Sequence, residues 1–277
     1  MGREAGSKVV CCSETIAKSA RRIARMKNHP KMHHMDVDGQ KLAYTFTGSG
    51  RPTIVLINGL GVPLSAWNSL YPGLEKLGTV VAYDRSGVGG SSPPLVPQTG
   101  DVVVRMLRRL LVEAGAEGPY VLVGHSFGGL YANLFARQHP NDVAGVMFLE
   151  ATAPEDVAMM KRHQGKVSRA LNAMFSVFSR PGPNSELSNE AETVAQLIAA
   201  PAFPNVPLCV VSGGKAFPSW LVAPEAARLR AENQASLALL SPQGRHVIAL
   251  QSRHFPQITE PALVVSSIEQ VVSAATF

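Results

Sequence analysis

Six short apolar runs punctuate the chain: Thr53–Ile57, Val80–Tyr83, Tyr120–Val123, Val143–Leu149, Leu208–Val211 and His246–Leu250. Each is rich in Val, Ile and Leu, the mark of a strand buried on both faces. Ahead of them, Met35–Val37 and Lys41–Thr47 flank Asp38-Gly39, a pair that supplies the positive φ angles of a tight turn, and so predict a hairpin. Helical patterns cover Ser65–Leu77, Asp101–Ala114, Phe127–His139, Pro224–Leu240 and Pro261–Ala275. A hairpin followed by alternating strands and helices predicts an α/β fold, a mostly parallel sheet with helices on both faces.

The exception is Ala158–Ala200, which has no strand-like run. It reads as a small helical insertion whose Met159, Met160, Leu171, Met174, Phe175, Val177 and Phe178 either pack on the body or line a pocket for an apolar substrate. The expected organisation is a basic N-terminal extension over 1–34, a first half of the core over 35–153, a helical cap over 154–204 and the rest of the core over 205–277.

Of 277 residues 45% are hydrophobic and 17% charged, enough apolar material for one large core and incompatible with a disordered chain. The longest uncharged stretch, Pro52–Leu74, is broken by Asn58, Pro63, Ser65, Asn68, Ser69 and Pro72, so a soluble body is expected. Residues 1–34 hold eight Lys and Arg against Glu4 and Glu14, so the whole formal excess of +6 sits there and the remainder is balanced. A basic tail on a neutral body argues against nucleic acid as a partner. Within the tail, Ile16, Ala20, Ile23 and Ala24 share a helical face. Membrane-surface attachment aided by acylation of Cys11 or Cys12 is the functional reading, but the face is mostly alanine and a solvated tail is the better expectation. His29, His33 and His34 lack the acidic or cysteine partners of a metal site. Cys11 and Cys12 are adjacent and Cys209 lies in an apolar run, so no disulfide framework is expected. The N-terminus lacks a secretory pattern, and a cytoplasmic location is the default.

The sharpest chemical signal is Gly124-His125-Ser126-Phe127-Gly128, directly after the run Tyr120–Val123 and directly before a helical pattern. In G-x-S-x-G the strand-to-helix turn forces the serine into a strained conformation, so its neighbours must be nearly free of side chain. The serine is then displayed above the sheet edge with a helix N-terminus beneath it. On this motif and its context the chain resembles the α/β-hydrolase fold family from about Met35 onward. Two further segments carry the resemblance: Tyr83-Asp84-Arg85-Ser86-Gly87-Val88-Gly89-Gly90-Ser91, similar to the loop after the fourth strand, and Asn58-Gly59-Leu60-Gly61, where members usually have His-Gly-x-Gly. The departure is Asn58. The resemblance implies that the backbone N–H groups of Leu60 and Phe127 form an oxyanion hole, which a changed side chain at 58 leaves intact. It also implies that Asp84 and Arg85 fix loops at the sheet edge.

A nucleophilic serine needs a base. His246 opens the last strand, at the wrong end for a serine displayed at strand C-termini, whereas His254 follows that strand in a segment resembling the family's Ser-Gly-His-Phe. His254 is the expected base, with Arg253 standing where the family often has Gly. His246 is expected to be structural and His125 to face away from the serine's chemistry. The usual position of the acid, in the loop 212–220, holds no carboxylate. Glu150, one strand earlier, stands at a strand end used instead by some members and is the expected acid; Glu155, Asp156 and Glu225 are its alternatives.

The resemblance implies a serine esterase using Ser126, His254 and Glu150, with no cofactor or metal, acting on small-molecule esters with an apolar acyl or alcohol part. Lactonase, thioesterase and acyltransferase chemistry use the same three residues with another pocket, and a non-catalytic ligand-binding member is the alternative from another class.

Overall fold

The structure, a computed structural model, describes residues 30–162, 182–216, 218, 222 and 224–277. Most of the N-terminal extension lies outside the described residues, including Cys11, Cys12 and the helical pattern around Ile16. So do Leu171, Met174, Phe175, Val177 and Phe178 of the insertion.

Eight strands form one sheet: β1 (Met32–Val37), β2 (Gln40–Thr47), β3 (Thr53–Ile57), β4 (Thr79–Tyr83), β5 (Tyr120–His125), β6 (Val143–Leu149), β7 (Leu208–Gly213) and β8 (Gly244–Ala249). Their spatial order is β1-β2-β4-β3-β5-β6-β7-β8, with β2 antiparallel to both of its neighbours, β1 and β4, and every other pairing parallel. β3, β4, β5 and β6 are buried along their whole length, as their unbroken apolar runs require.

Successive strand residues point to opposite faces, so each run feeds two cores. On one face Val55, Ile57, Leu122, Val146, Phe148 and Val210 meet the helices α2 (Gly100–Glu113) and α3 (Gly128–Gln138) through Leu107, Leu110, Leu130, Leu134 and Phe135. On the other, Ile54, Leu56, Val121, Val123, Met147 and Leu149 pack with Trp67, Leu70, Tyr71, Val264 and Ile268.

Two expectations shift in detail. The sheet begins at Met32 rather than Met35, because Met32, His33 and His34 pair with Thr45, Tyr44 and Ala43. The pattern Ser65–Leu77 is not one helix but a 3₁₀ turn over Leu64–Trp67 and a short α1 (Tyr71–Leu74). Pro72 is the cause: it has no N–H for Asn68 O and its ring would clash with that carbonyl, so a helix can start here but not run through. The insertion contributes α4 (Pro154–Arg162) and α5 (Glu190–Ala199); the second half of the core adds α6 (Pro224–Ala238), α7 (Pro256–Thr259) and α8 (Pro261–Ala274). No helix among the described residues is long and apolar enough to cross a membrane.

Candidate active site

Ser126 sits between β5 and α3 with φ +52, in the left-handed region that side chains rarely occupy. The crowding that demands glycine at the flanks is explicit. A Cβ on Gly124 would lie 2.8 Å from Gly128 O and from Gly129 Cα, and one on Gly128 would lie 2.3 Å from Asn58 O and 2.4 Å from Ile57 O. The turn is closed by Ser126 N–H donating to Leu149 O at 3.0 Å and Gly129 N–H donating to Ser126 O at 2.9 Å.

His254 follows β8 and reaches back over this turn. Its Nε2 lies 2.9 Å from Ser126 Oγ and its Nδ1 3.2 Å from Glu150 Oε2. A carboxylate only accepts, so Nδ1 carries the hydrogen and Nε2 is left to accept from the serine hydroxyl. The ring rests on Phe255 and His125, with centroids 5.2 and 5.1 Å away. His125 is a structural companion, but not a remote one. Its Nε2–H donates to His254 O at 2.8 Å, while its Nδ1 is buried without a partner. Burial, above all, pushes its pKa down to about 3, so the ring stays neutral.

Glu150 ends β6 and is also left-handed, with φ +46. Its carboxylate is buried and fully engaged. Oε1 accepts from Gly213 N–H at 2.6 Å, and Oε2 from Arg230 Nη2 at 3.1 Å as well as from His254. Burial pushes the carboxyl up, but Arg230, His254 and the Gly213 N–H outweigh it and bring its pKa down to about 2. Arg230, from α6, also donates to Glu150 O at 3.0 Å and to Asp156 Oδ2 at 3.2 Å. Asp156 is thus not the partner of His254: it is bound by Arg230, Asn233 and Ala153 N–H. Glu155 and Glu225 are exposed. His246, within β8, bonds Ser212 Oγ at 2.7 Å, away from Ser126.

The loop after β3 supplies the third wall. A Cβ on Gly59 would lie 3.2 Å from Ser126 Cβ, so this loop packs directly on the serine. Asn58 braces it: Nδ2 donates to Tyr83 O at 3.0 Å and Oδ1 accepts from Trp67 Nε1 at 2.5 Å. Leu60 and Phe127 are buried beside it. Asp84 anchors the neighbouring loops by accepting from Leu64 N–H at 2.6 Å and Gly90 N–H at 2.9 Å.

The serine, the imidazole and the carboxylate singled out in the sequence are therefore brought into one hydrogen-bonded chain beyond the C-terminal ends of β5, β8 and β6. Sequence reasoning missed Arg230, which in Ala227-Arg228-Leu229-Arg230 looks like any charge on a helix surface. It also missed Glu186, which pairs with Arg85 inside the molecule. No group of three or more His, Cys, Asp or Glu among the described residues is arranged to hold a metal. A groove of about 480 Å³ along α2, lined by Arg105, Arg108, Arg109 and His139, shares no residue with this site.

The family model of the alpha/beta hydrolase fold matches residues 52–205. Two Bacillus subtilis (strain 168) proteins, both uncharacterized, are similar. YbdG is 29% identical over 129 residues, 46% of this chain and 40% of its own length, and YqjL is 28% identical over 237 residues, 82% of this chain and 86% of its own. Among solved structures, the enol-lactonase from Burkholderia xenovorans LB400 superposes with a TM-score of 0.64 at 22% identity, covering 87% of this chain and all of the other. A thermophilic esterase from Thermogutta terrifontis gives 0.63 at 20% identity, with 88% and 98% covered. At these identities the likeness is one of fold.

Proposed function

The chain belongs to the α/β-hydrolase fold family, and from that premise we propose that it is a serine hydrolase that cleaves carboxylic esters. The observation that carries this reading is the unbroken Ser126–His254–Glu150 chain, closed at 2.9 and 3.2 Å with the serine held in a strained turn. His254 Nε2 removes the Ser126 proton as Oγ attacks the ester carbonyl, and Glu150 stabilises the resulting imidazolium. The Leu60 and Phe127 N–H groups receive the tetrahedral oxyanion. Collapse of that intermediate breaks the bond to the leaving alcohol, which takes its proton from His254 and leaves an acyl-serine. Water, deprotonated by the same imidazole, then releases the acid and restores Ser126.

A lactone is an internal ester and reacts at the same atoms, its alcohol staying tethered to the acyl chain. Similarity to an enol-lactonase fold makes lactones the second substrate class to try. Small apolar acyl or alcohol parts are the substrates we propose, without nucleic acid, metal or cofactor.

The test has two arms. Hydrolysis of p-nitrophenyl esters from acetate to decanoate, and of simple γ- and δ-lactones, is expected for wild type. Labelling by a fluorophosphonate is expected at Ser126, read by mass spectrometry and absent in Ser126→Ala. Labelling elsewhere, or turnover unchanged in Ser126→Ala, refutes the reading. A wild type that is neither labelled nor active points to a ligand-binding member of the family.

A further inference from the structure

Arg85 is a buried charge to which the proposed reaction gives no role. Its side chain is 1% exposed and that of its partner Glu186 5%. Nε and Nη2 donate to the two Glu186 carboxylate oxygens, the second at 3.2 Å. Nη1 donates to Asn58 O at 2.6 Å and Nη2 to Gly59 O at 2.8 Å, while the guanidinium lies 5.1 Å over the Tyr131 ring. One cation thus gathers two consecutive carbonyls of the loop that packs on Ser126.

The geometry of a peptide gives this a consequence. A trans peptide unit is planar, and its C=O and N–H point in opposite directions. The carbonyl held by Nη2, which also accepts from Val62 N–H at 3.2 Å, belongs to the Gly59–Leu60 unit, so the hydrogen pointing the opposite way within that plane is the Leu60 N–H. If the unit flipped, an N–H would face the guanidinium, and the Gly59 oxygen would turn to where an oxyanion needs a donor. Burial works against the Arg85 charge, and the Glu186 carboxylate beside it more than offsets this, so the cation persists.

Glu186 belongs to the insertion, between α4 and α5. Its segment is tied to the body by Gln98 N–H donating to Asn184 O at 3.1 Å and by Asn184 Nδ2 donating to Pro94 O at 3.3 Å. We propose that Arg85 is a positioning residue that keeps the Leu60 N–H turned into the oxyanion hole, and that Glu186 holds Arg85 in place, so that seating of the Asn184–Glu186 segment forms the hole. This inference rests on the serine-hydrolase reading above.

The variants are Arg85→Met, Arg85→Lys and Glu186→Gln, each checked for folding by circular dichroism. With p-nitrophenyl acetate, kcat is expected to fall about 10²-fold in Arg85→Met and about 10-fold in Glu186→Gln, with KM within about twofold of wild type. A trifluoromethyl ketone, which forms an oxyanion on the serine, should weaken by the same factor as kcat/KM. Arg85→Lys, able to reach one carbonyl, should fall between. Should Arg85→Met fail to fold, Glu186→Gln carries the test, since it keeps the side chain's shape and loses the charge and one of the two oxygens that accept from Arg85.

A rise in KM at unchanged kcat, or a ketone bound by every variant as tightly as by wild type, overturns the inference. If wild type proves inert and unlabelled at Ser126, the reading of the preceding subsection falls. A crystal structure of Glu186→Gln then decides this one separately: a Gly59–Leu60 peptide in its original orientation overturns it, and a turned one supports it.

Discussion

The turn after β5 and the turn after β6 stand side by side, each ending a buried strand in a left-handed residue, Ser126 at φ +52 and Glu150 at φ +46. They meet that strain by different means. The Ser126 turn is relieved by absence: Gly124, Gly128 and Gly129 leave room that a Cβ would fill. The Glu150 turn has no glycine in Glu150-Ala151-Thr152-Ala153 and is held by attraction, through Gly213 N–H, Arg230 and His254 on the carboxylate. One turn depends on space and the other on charge, so different substitutions should break them.

The largest effects are on turnover. Ser126→Ala should remove at least about 10³-fold of kcat, and Glu150→Gln about 10³-fold, both with the fold intact. Steady-state kinetics beside circular dichroism checks this. Full activity in Glu150→Gln would mean that the imidazolium is stabilised by another carboxylate, and Asp156 would be the first to replace.

Next comes space. Gly128→Ala puts a methyl group 2.3 Å from one carbonyl oxygen and 2.4 Å from another, backbone atoms that cannot step aside. We expect about 3 kcal/mol of lost stability in urea unfolding, against almost none for Thr152→Ala in the other turn. Equal losses would erase the distinction.

Charge is tested by Arg230→Met, which strips one partner from Glu150 and one from Asp156. Since Arg230 is partly exposed, we expect about 2 kcal/mol at neutral pH, below the range for a fully buried pair. The sign with pH is fixed. The Glu150 pKa falls from an ordinary 4.5 to about 2 in the folded protein, so its contribution is present above about 4.5 and lost as pH drops towards 2. The difference between wild type and Arg230→Met should therefore shrink over that window.

The smallest effect at neutral pH belongs to His125, beneath both turns. Its folded pKa of about 3 lies below the ordinary 6.5, so below 6.5 the unfolded chain takes up a proton that the native state refuses. Stability is then lost as pH falls from about 6.5 towards 3, by up to about 1.4 kcal/mol per unit. In His125→Phe, the slope of melting temperature against pH over that range should flatten.

This contrast also explains what could be read from the sequence. A turn that depends on space leaves glycines as its signature, so Gly124-His125-Ser126-Phe127-Gly128 could be placed from local pattern alone. The strands were legible for a similar reason, since burial on both faces leaves unbroken runs such as Thr53–Ile57. A turn held by charge leaves no such trace. Glu150 was reached because the loop after β7 has no carboxylate, yet Arg230 lies 80 residues further along the chain and its helix has no strongly apolar face to betray which side is buried. Glu186 is 101 residues from Arg85 and sits in an insertion whose pattern says only that it is helical. Pro72, by contrast, is a local signal, and a proline at that position is incompatible with one helix over Ser65–Leu77.

The Asn58 amide links the Trp67 indole to the Tyr83 carbonyl. A carboxamide neither gains nor loses a proton anywhere in the range where the protein folds. The strut it forms is indifferent to acidity, whereas an imidazole accepting the same indole hydrogen would surrender that bond on protonation. Acid inactivation must therefore originate elsewhere than in this strut.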